Sequence, residues 1–356
     1  MRELLTKLGS RSLTALNNIR RFCIYLAASK PTDVCDRIAY VDVTEPALER
    51  YFYCFVKFLQ LGGFSVYLRF RPKLLLNLRN YSELIYEIPG FRVSFGDPGK
   101  ADLVIRDRPS NSRTEEELLL STDYFNAAND PEGFAFPYSM HPLIYHLGLD
   151  DQITSLRARQ RESRIFFYSA NLESYRNPEM ETLFGKLNRE GVAEVVRNYA
   201  SDLTPDEMPA AIRLAEDERI PFEDWLPTLA ASSFFVAAPG VVMPYSHNLL
   251  EAMAVGTIPI TEYPELFHPP LEDGMNCIRF SGREGLREAL GRACRLREDE
   301  IDALRKRVVE YYDTYLDPES AVSQLLSSAD SVERIYLLSG HLSVSALKKR
   351  KTQPMN

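Results

Sequence analysis

The chain has 356 residues, of which 26% are charged and 45% hydrophobic, and a formal net charge of -8. That length is comfortable for two domains, and the composition is that of an ordinary globular protein. The acidic balance argues against a dedicated nucleic-acid binder, which needs clustered Lys and Arg, and five scattered cysteines without C-x-x-C spacing fit neither a disulfide framework nor a zinc site.

Residues 1–36 form a segment of their own. Within residues 1–30, six basic side chains (Arg2, Lys7, Arg11, Arg20, Arg21, Lys30) stand against Glu3 alone, and Leu13, Leu16, Ile19, Cys23 and Leu26 recur at near-helical intervals. Such a helix either lies on an anionic membrane surface or packs on the domain that follows. No apolar run reaches the ~20 residues of a membrane span, and the apolar block from Phe22 to Ser29 is too short and too late for a signal peptide.

From 37 to about 160 the pattern is that of a first Rossmann-like domain. Ile38–Val41 reads as a buried strand, a helix starting at Glu45 or Pro46 carries Phe52, Phe55, Val56 and Leu59, and Gly62-Gly63 ends it before the strand Ser65–Phe70. This is a βαβ unit, and a third strand is expected at Ala101–Arg106 after the turn Asp97-Pro98-Gly99. Asp42 and Glu45 follow the first strand, where active-site residues of open α/β sheets gather; either serves the chemistry, or Asp42 ends the strand and Glu45 favours a helix N-terminus. The run Phe134 to Pro142 ends at His141, a residue suited to proton transfer near neutrality, with Tyr138 either stacking on a sugar or packing in the core.

A second domain, 161–337, opens with the strand Ile165–Tyr168 and a small-residue loop leading to Arg176. Val192–Val196 reads as the next strand, and Phe222–Ala231 as a helix with Trp225 in the core. Then comes S-F-F-V-A-A-P-G-V-V-M-P-Y-S-H-N-L-L-E-A-M-A-V-G-T-I-P-I, residues 233–260: strand, loop, helix, strand. Ser246 is a suitable N-cap and Gly256 a C-terminal stop, so a helix N-terminus opens at the C-terminal edge of a parallel sheet, a place that suits phosphate. His247 and Glu251 are four apart and share a face. A strand is expected at 276–280 and helices at about 284–296, 299–315 and 319–337; the tail 338–356 is basic and reads as disordered.

The segment S-x-F-x-x-x-P-G…S-H-N-L-L-E-A-M-A-V-G-T-I-P-I resembles the donor-nucleotide helix of GT-B glycosyltransferases, and together with R-I-F-F-Y-S-A-N-L-E-S-Y-R it is similar to the exostosin-like branch. The resemblance spans about residues 164–290 and implies an α/β GT-B fold, two Rossmann-like domains facing each other across a cleft. It implies a nucleoside-diphosphate sugar as donor substrate rather than a cofactor, and a glycan or glycolipid acceptor. Carried over by motif, Glu251 meets the ribose, Arg176 clamps the diphosphate with Arg164 assisting, and His247 reaches it beside Ser246, Asn248 and Gly240. Glu262 lies where the base or sugar is met, and Asp42, Glu45 and His141 face the acceptor as candidates for the base. Two absences shape the chemistry. No D-x-D occurs, so no metal site is expected, and the retaining pattern E-x7-E has Met243 at its first position, which favours inversion. The alternatives are a retaining enzyme with a degenerate motif and a silent module that binds nucleotide or glycan. The expected location is cytoplasmic, with peripheral membrane contact through the N-terminal helix left open.

Overall fold

The computed structural model describes residues 2–27, 35–45, 48–109, 117–169, 179–204, 211–216 and 218–352, with side chains of residues 2–12 and 216 outside the description. The described residues form twelve strands: β1 (Arg37–Asp42), β2 (Phe64–Arg69), β3 (Arg92–Ser94), β4 (Leu103–Arg106), β5 (Glu117–Ser121), β6 (Gly133–Ala135), β7 (Ser163–Ser169), β8 (Ile212–Glu216), β9 (Ser232–Val236), β10 (Ile258–Thr261), β11 (Ile278–Arg279) and β12 (Arg334–Tyr336). They fall into two compact units, one made of Met1–Pro137 with Asp317–Asn356, the other of Tyr138–Leu316.

The first unit holds a parallel sheet of order β3-β2-β1-β4-β5-β12-β6. The chain runs outward from β1 to β3 and then returns to the other side of β1, which puts the topological switch between β1 and β4. The helix Arg50–Leu61 covers β1 and β2 because its residues are apolar nearly all round: Phe52, Phe55, Val56, Phe58 and Leu59 are buried. Each such aromatic contributes about 1.5–3 kcal/mol of burial. Gly62 ends this helix where only glycine fits, since a Cβ there would lie 2.5 Å from Cγ1 of Val322 on the helix Pro318–Ser327. That late helix is followed by β12, which slots between β5 and β6 and completes the first sheet with C-terminal residues.

The second unit holds a parallel sheet of order β11-β10-β9-β7-β8. Its middle strands read as continuous apolar runs because both faces are covered, and Ile165, Phe166, Phe167, Phe234 and Ile260 are almost fully buried. The chain leaves β7 for β8 and returns past it to β9, so the switch lies between β7 and β9. Two Rossmann-like units in one chain are the architecture expected of a GT-B protein.

Several expectations change. The boundary falls after Pro137, not at 160, so His141 belongs to the second unit. Val192–Val196 lies inside the helix Arg189–Ser201, because Val192, Val195 and Val196 share a helical face and the Asn188 side chain accepts a hydrogen bond from the Gly191 N–H at 2.8 Å. The expected helix 319–337 stops at Ser327 and gives way to β12. The tail is a helix, Gly340–Thr352, fixed to the first unit by Arg350 donating to Asp123 and Asn126, both at 3.1 Å. The N-terminal helix Arg2–Ala27 also packs on the first unit, through Asn18, Phe22 and Tyr25.

Candidate functional site

At the switch point of the second sheet, β7 ends in Ser169 and β9 runs into the loop 237–246. Gly240 makes that loop possible: its N–H donates to the Pro244 carbonyl at 3.2 Å, and a Cβ at this position would stand 2.2 Å from the Tyr245 carbonyl oxygen. Arg189, itself buried, donates to the Pro239 carbonyl through Nε at 3.1 Å and Nη2 at 3.0 Å, which ties the loop to the N-terminus of its helix. The loop delivers the chain to the helix His247–Ala254, whose N-cap Ser246 is extended but gives no side-chain capping bond. The Leu249 N–H donates to the Ser246 carbonyl at 3.2 Å, so what this helix start offers a ligand is the positive end of the dipole and the amides before Leu249.

Two hydroxyls near the C-terminal ends of this sheet's strands make no geometric hydrogen bond among the described residues. The Ser169 hydroxyl is buried at the end of β7, and the Tyr263 hydroxyl is buried just beyond β10. Burial raises the Tyr263 phenol above its ordinary range, so it stays protonated. Such buried hydroxyls keep capacity for a further hydrogen bond.

His247 is the first residue of the helix. Its ring stacks on Tyr138, with centroids 4.9 Å apart, and Nδ1 lies 2.8 Å from the Ser139 carbonyl oxygen. A carbonyl only accepts, so Nδ1 carries a proton and Nε2 is an acceptor in the neutral ring and a donor in the charged one. His141 has the opposite tautomer. Its Nδ1 accepts from the Leu143 N–H at 3.3 Å, which leaves the proton of the neutral ring on Nε2. In the neutral ring His141 thus presents an N–H at Nε2.

Glu251 also departs from expectation. It shares a helix face with His247, but that face is covered, and the side chain is 1% exposed. Oε1 accepts from the His141 N–H at 2.8 Å and Oε2 from Trp225 Nε1 at 2.6 Å. Burial pushes its carboxyl up to about 7, against the pull of these two donors. Glu251 therefore braces the segment 138–141 against the helix Phe222–Ala230. Trp225, expected as core alone, is the second half of that brace; a buried indole N–H needs an acceptor, and this was the available clue.

Glu262 is similarly engaged. It is buried, with Oε1 accepting from the Gly282 N–H and Oε2 from the Leu187 N–H, each at 2.6 Å. It knits two loops and caps the helix Gly282–Arg295. Arg164 sits near the start of β7, five residues and roughly 16 Å of strand from the C-terminal edge, and pairs with Glu298 at 2.8 Å. Its expected reach to the diphosphate is thus excluded by the direction of the strand. Asn248 is half-buried in the first helical turn. Arg176 lies outside the described residues.

In the first sheet, Asp42 stands at the corresponding switch point, yet it is committed. Arg71 binds it through Nε and Nη2, both at 2.9 Å, and Arg106 through Nη1 at 3.0 Å, while Arg106 Nε also donates to Glu117 at 3.2 Å. Asp42 thus holds arginines and is not placed as a base. The Glu45 N–H donates to Asp107 Oδ2 at 3.1 Å, which also accepts from the Thr44 N–H at 2.6 Å, so this loop is fixed by Asp107.

No protein-family model and no curated protein sequence matches the chain. Among solved structures it is similar to an S. aureus TarM mutant in complex with fondaparinux, alpha-GlcNAc-glycerol and UDP, at TM-score 0.36 and 12% identity, over 72% of this chain and 61% of TarM. It is similar to AviGT4, a glycosyltransferase involved in avilamycin A biosynthesis, at TM-score 0.41 and 13% identity, over 82% of this chain and 96% of that one. It is also similar to HepE of Anabaena in complex with UDP, at TM-score 0.38 and 12% identity, over 83% of this chain and all of HepE (100%). At such scores none of these proteins lends a residue role or a ligand to this chain.

Proposed function

We propose that the chain is a glycosyltransferase that moves a sugar from a nucleoside-diphosphate donor to a hydroxyl of a glycan or glycolipid, with inversion and without a metal. The observation that carries this reading is the helix His247–Ala254, which opens beside the switch point of a parallel sheet. There its first-turn amides, the uncapped Ser246 and the oriented His247 converge. In the proposed complex the amides hold the diphosphate, and His247 in its charged form donates from Nε2 to a phosphate oxygen while Nδ1–H stays on Ser139. Ser169 and Tyr263 supply hydroxyls to the same ligand, and Arg176 completes the clamp by resemblance. These groups stabilise the departing diphosphate, the task that a D-x-D-bound metal performs in chains with that motif. Inversion is favoured by Met243, which puts a thioether where the first Glu of E-x7-E would stand.

The test is hydrolysis and transfer from UDP- and GDP-sugars by the full chain and by His247→Ala. The expected loss in kcat is about 10²-fold, the size associated with removing one donor to a developing anion. Unchanged turnover in His247→Ala would remove the site from this account.

A further inference from the structure

We infer that the N-terminal helix Arg2–Ala27 is a docking face for an anionic lipid surface, held in a fixed orientation by the first unit. One side of the helix is locked down. Asn18 Nδ2 donates to the Leu76 and Leu78 carbonyls at 3.1 and 2.7 Å, Tyr25 donates its hydroxyl to the Phe91 carbonyl at 3.1 Å, and Phe22 stacks on Phe70 with centroids 5.8 Å apart. These anchors are three or four residues apart and define one face.

The opposite face carries Leu13, Leu16 and Ile24 at helical spacing, 61%, 62% and 58% exposed, with Arg20 between them. Large aliphatic side chains this exposed, in a row and on a rigidly anchored helix, need a covering partner. The charge pattern selects which one. The helix sequence holds Arg2, Lys7, Arg11 and Arg20 against Glu3, with Arg21 paired to Glu83 at 3.3 Å, within a chain whose net charge is -8. A second copy of the chain, paired about a two-fold axis on this ridge, would bring basic helix onto basic helix. An anionic lipid surface takes both components: the aliphatic side chains enter the headgroup boundary, and the Arg20 stem lies along it with its guanidinium among the phosphates. No described helix is long and apolar enough to cross a membrane, so the contact is one of lying on the surface. This inference is independent of the proposed glycosyl transfer.

Flotation of the full chain with vesicles of phosphatidylcholine alone, and with phosphatidylglycerol added, tests it. The full chain floats with the anionic vesicles and not with the neutral ones. The double variant Leu16→Asp with Ile24→Asp, whose changes lie on the exposed face, keeps the wild-type melting temperature and loses about tenfold or more of that binding; Arg20→Glu weakens it and reduces its salt dependence. Absence of flotation with anionic vesicles overturns the inference. So does equal flotation of the double variant, or a sedimentation profile showing a wild-type dimer that the double variant dissolves.

Discussion

The two sheets offer the same feature twice, a switch point at the C-terminal edge, and fill it in opposite ways. Between β1 and β4 the edge is occupied by charge: Asp42 binds Arg71 and Arg106, and Arg106 binds Glu117. Between β7 and β9 the edge carries a glycine-dependent loop, a helix N-terminus and the buried Ser169 hydroxyl, with the buried Tyr263 hydroxyl beyond β10. The first arrangement satisfies itself. The second presents hydrogen-bonding capacity that the described protein does not use, so position in a fold nominates a site, and only the bonds already made decide whether it is open.

The largest break in this contrast comes from Asp42→Ala. It leaves two guanidiniums close together over Glu117 and costs about 3–4 kcal/mol of stability, read by urea denaturation, while nucleotide affinity per folded molecule stays unchanged. Gly240→Ala does the reverse. Its Cβ collides with the Tyr245 carbonyl, so the loop must rebuild at a cost of about 2–3 kcal/mol, and nucleotide affinity falls with it.

The pH dependence of the brace sharpens the comparison from within the second unit. Glu251 titrates at about 7 in the folded protein against 4.5 in the free side chain. Between those values the folded state keeps a proton that the unfolded chain has released. The resulting stabilisation is fully present below pH 4.5 and is lost as pH rises towards 7. Its size is roughly 3 kcal/mol, and in Glu251→Gln this component of the stability profile is absent. The smallest effect belongs to Arg164→Ala. Removing its exposed partnership with Glu298 costs less than about 1 kcal/mol, and it leaves nucleotide affinity unchanged because the side chain is remote from the edge.

Much of this was legible in the chain itself. Apolar runs marked β1 and β7, apolar runs bounded by glycine marked β2, β9 and β10, and Ser246 to Gly256 marked the helix that organises the second edge. Long-range placement was not legible. Residues 334–336 read as the end of a helix, yet they form a strand between β5 and β6, a pairing that no local pattern encodes. Val192–Val196 is β-branched enough to suggest a strand, but the Asn188 cap and the helical spacing of its valines override that propensity. Of the groups gathered at the proposed site, His247, Gly240 and Ser246 were named by motif. The partners that turned Glu251 and Glu262 into braces and Asp42 into an ion-pair centre are distant in sequence. Ser169 carried no pattern at all; its importance lies in a hydroxyl left unpartnered by its described surroundings.

The most direct measurement is calorimetric titration of UDP and GDP into the wild-type chain, His247→Ala and Asp42→Ala. One nucleoside diphosphate binds the wild type and Asp42→Ala saturably with equal affinity, and His247→Ala weakens that binding. If neither nucleotide binds the wild type, or if Asp42→Ala abolishes binding while His247→Ala leaves it intact, the open edge has been assigned to the wrong sheet.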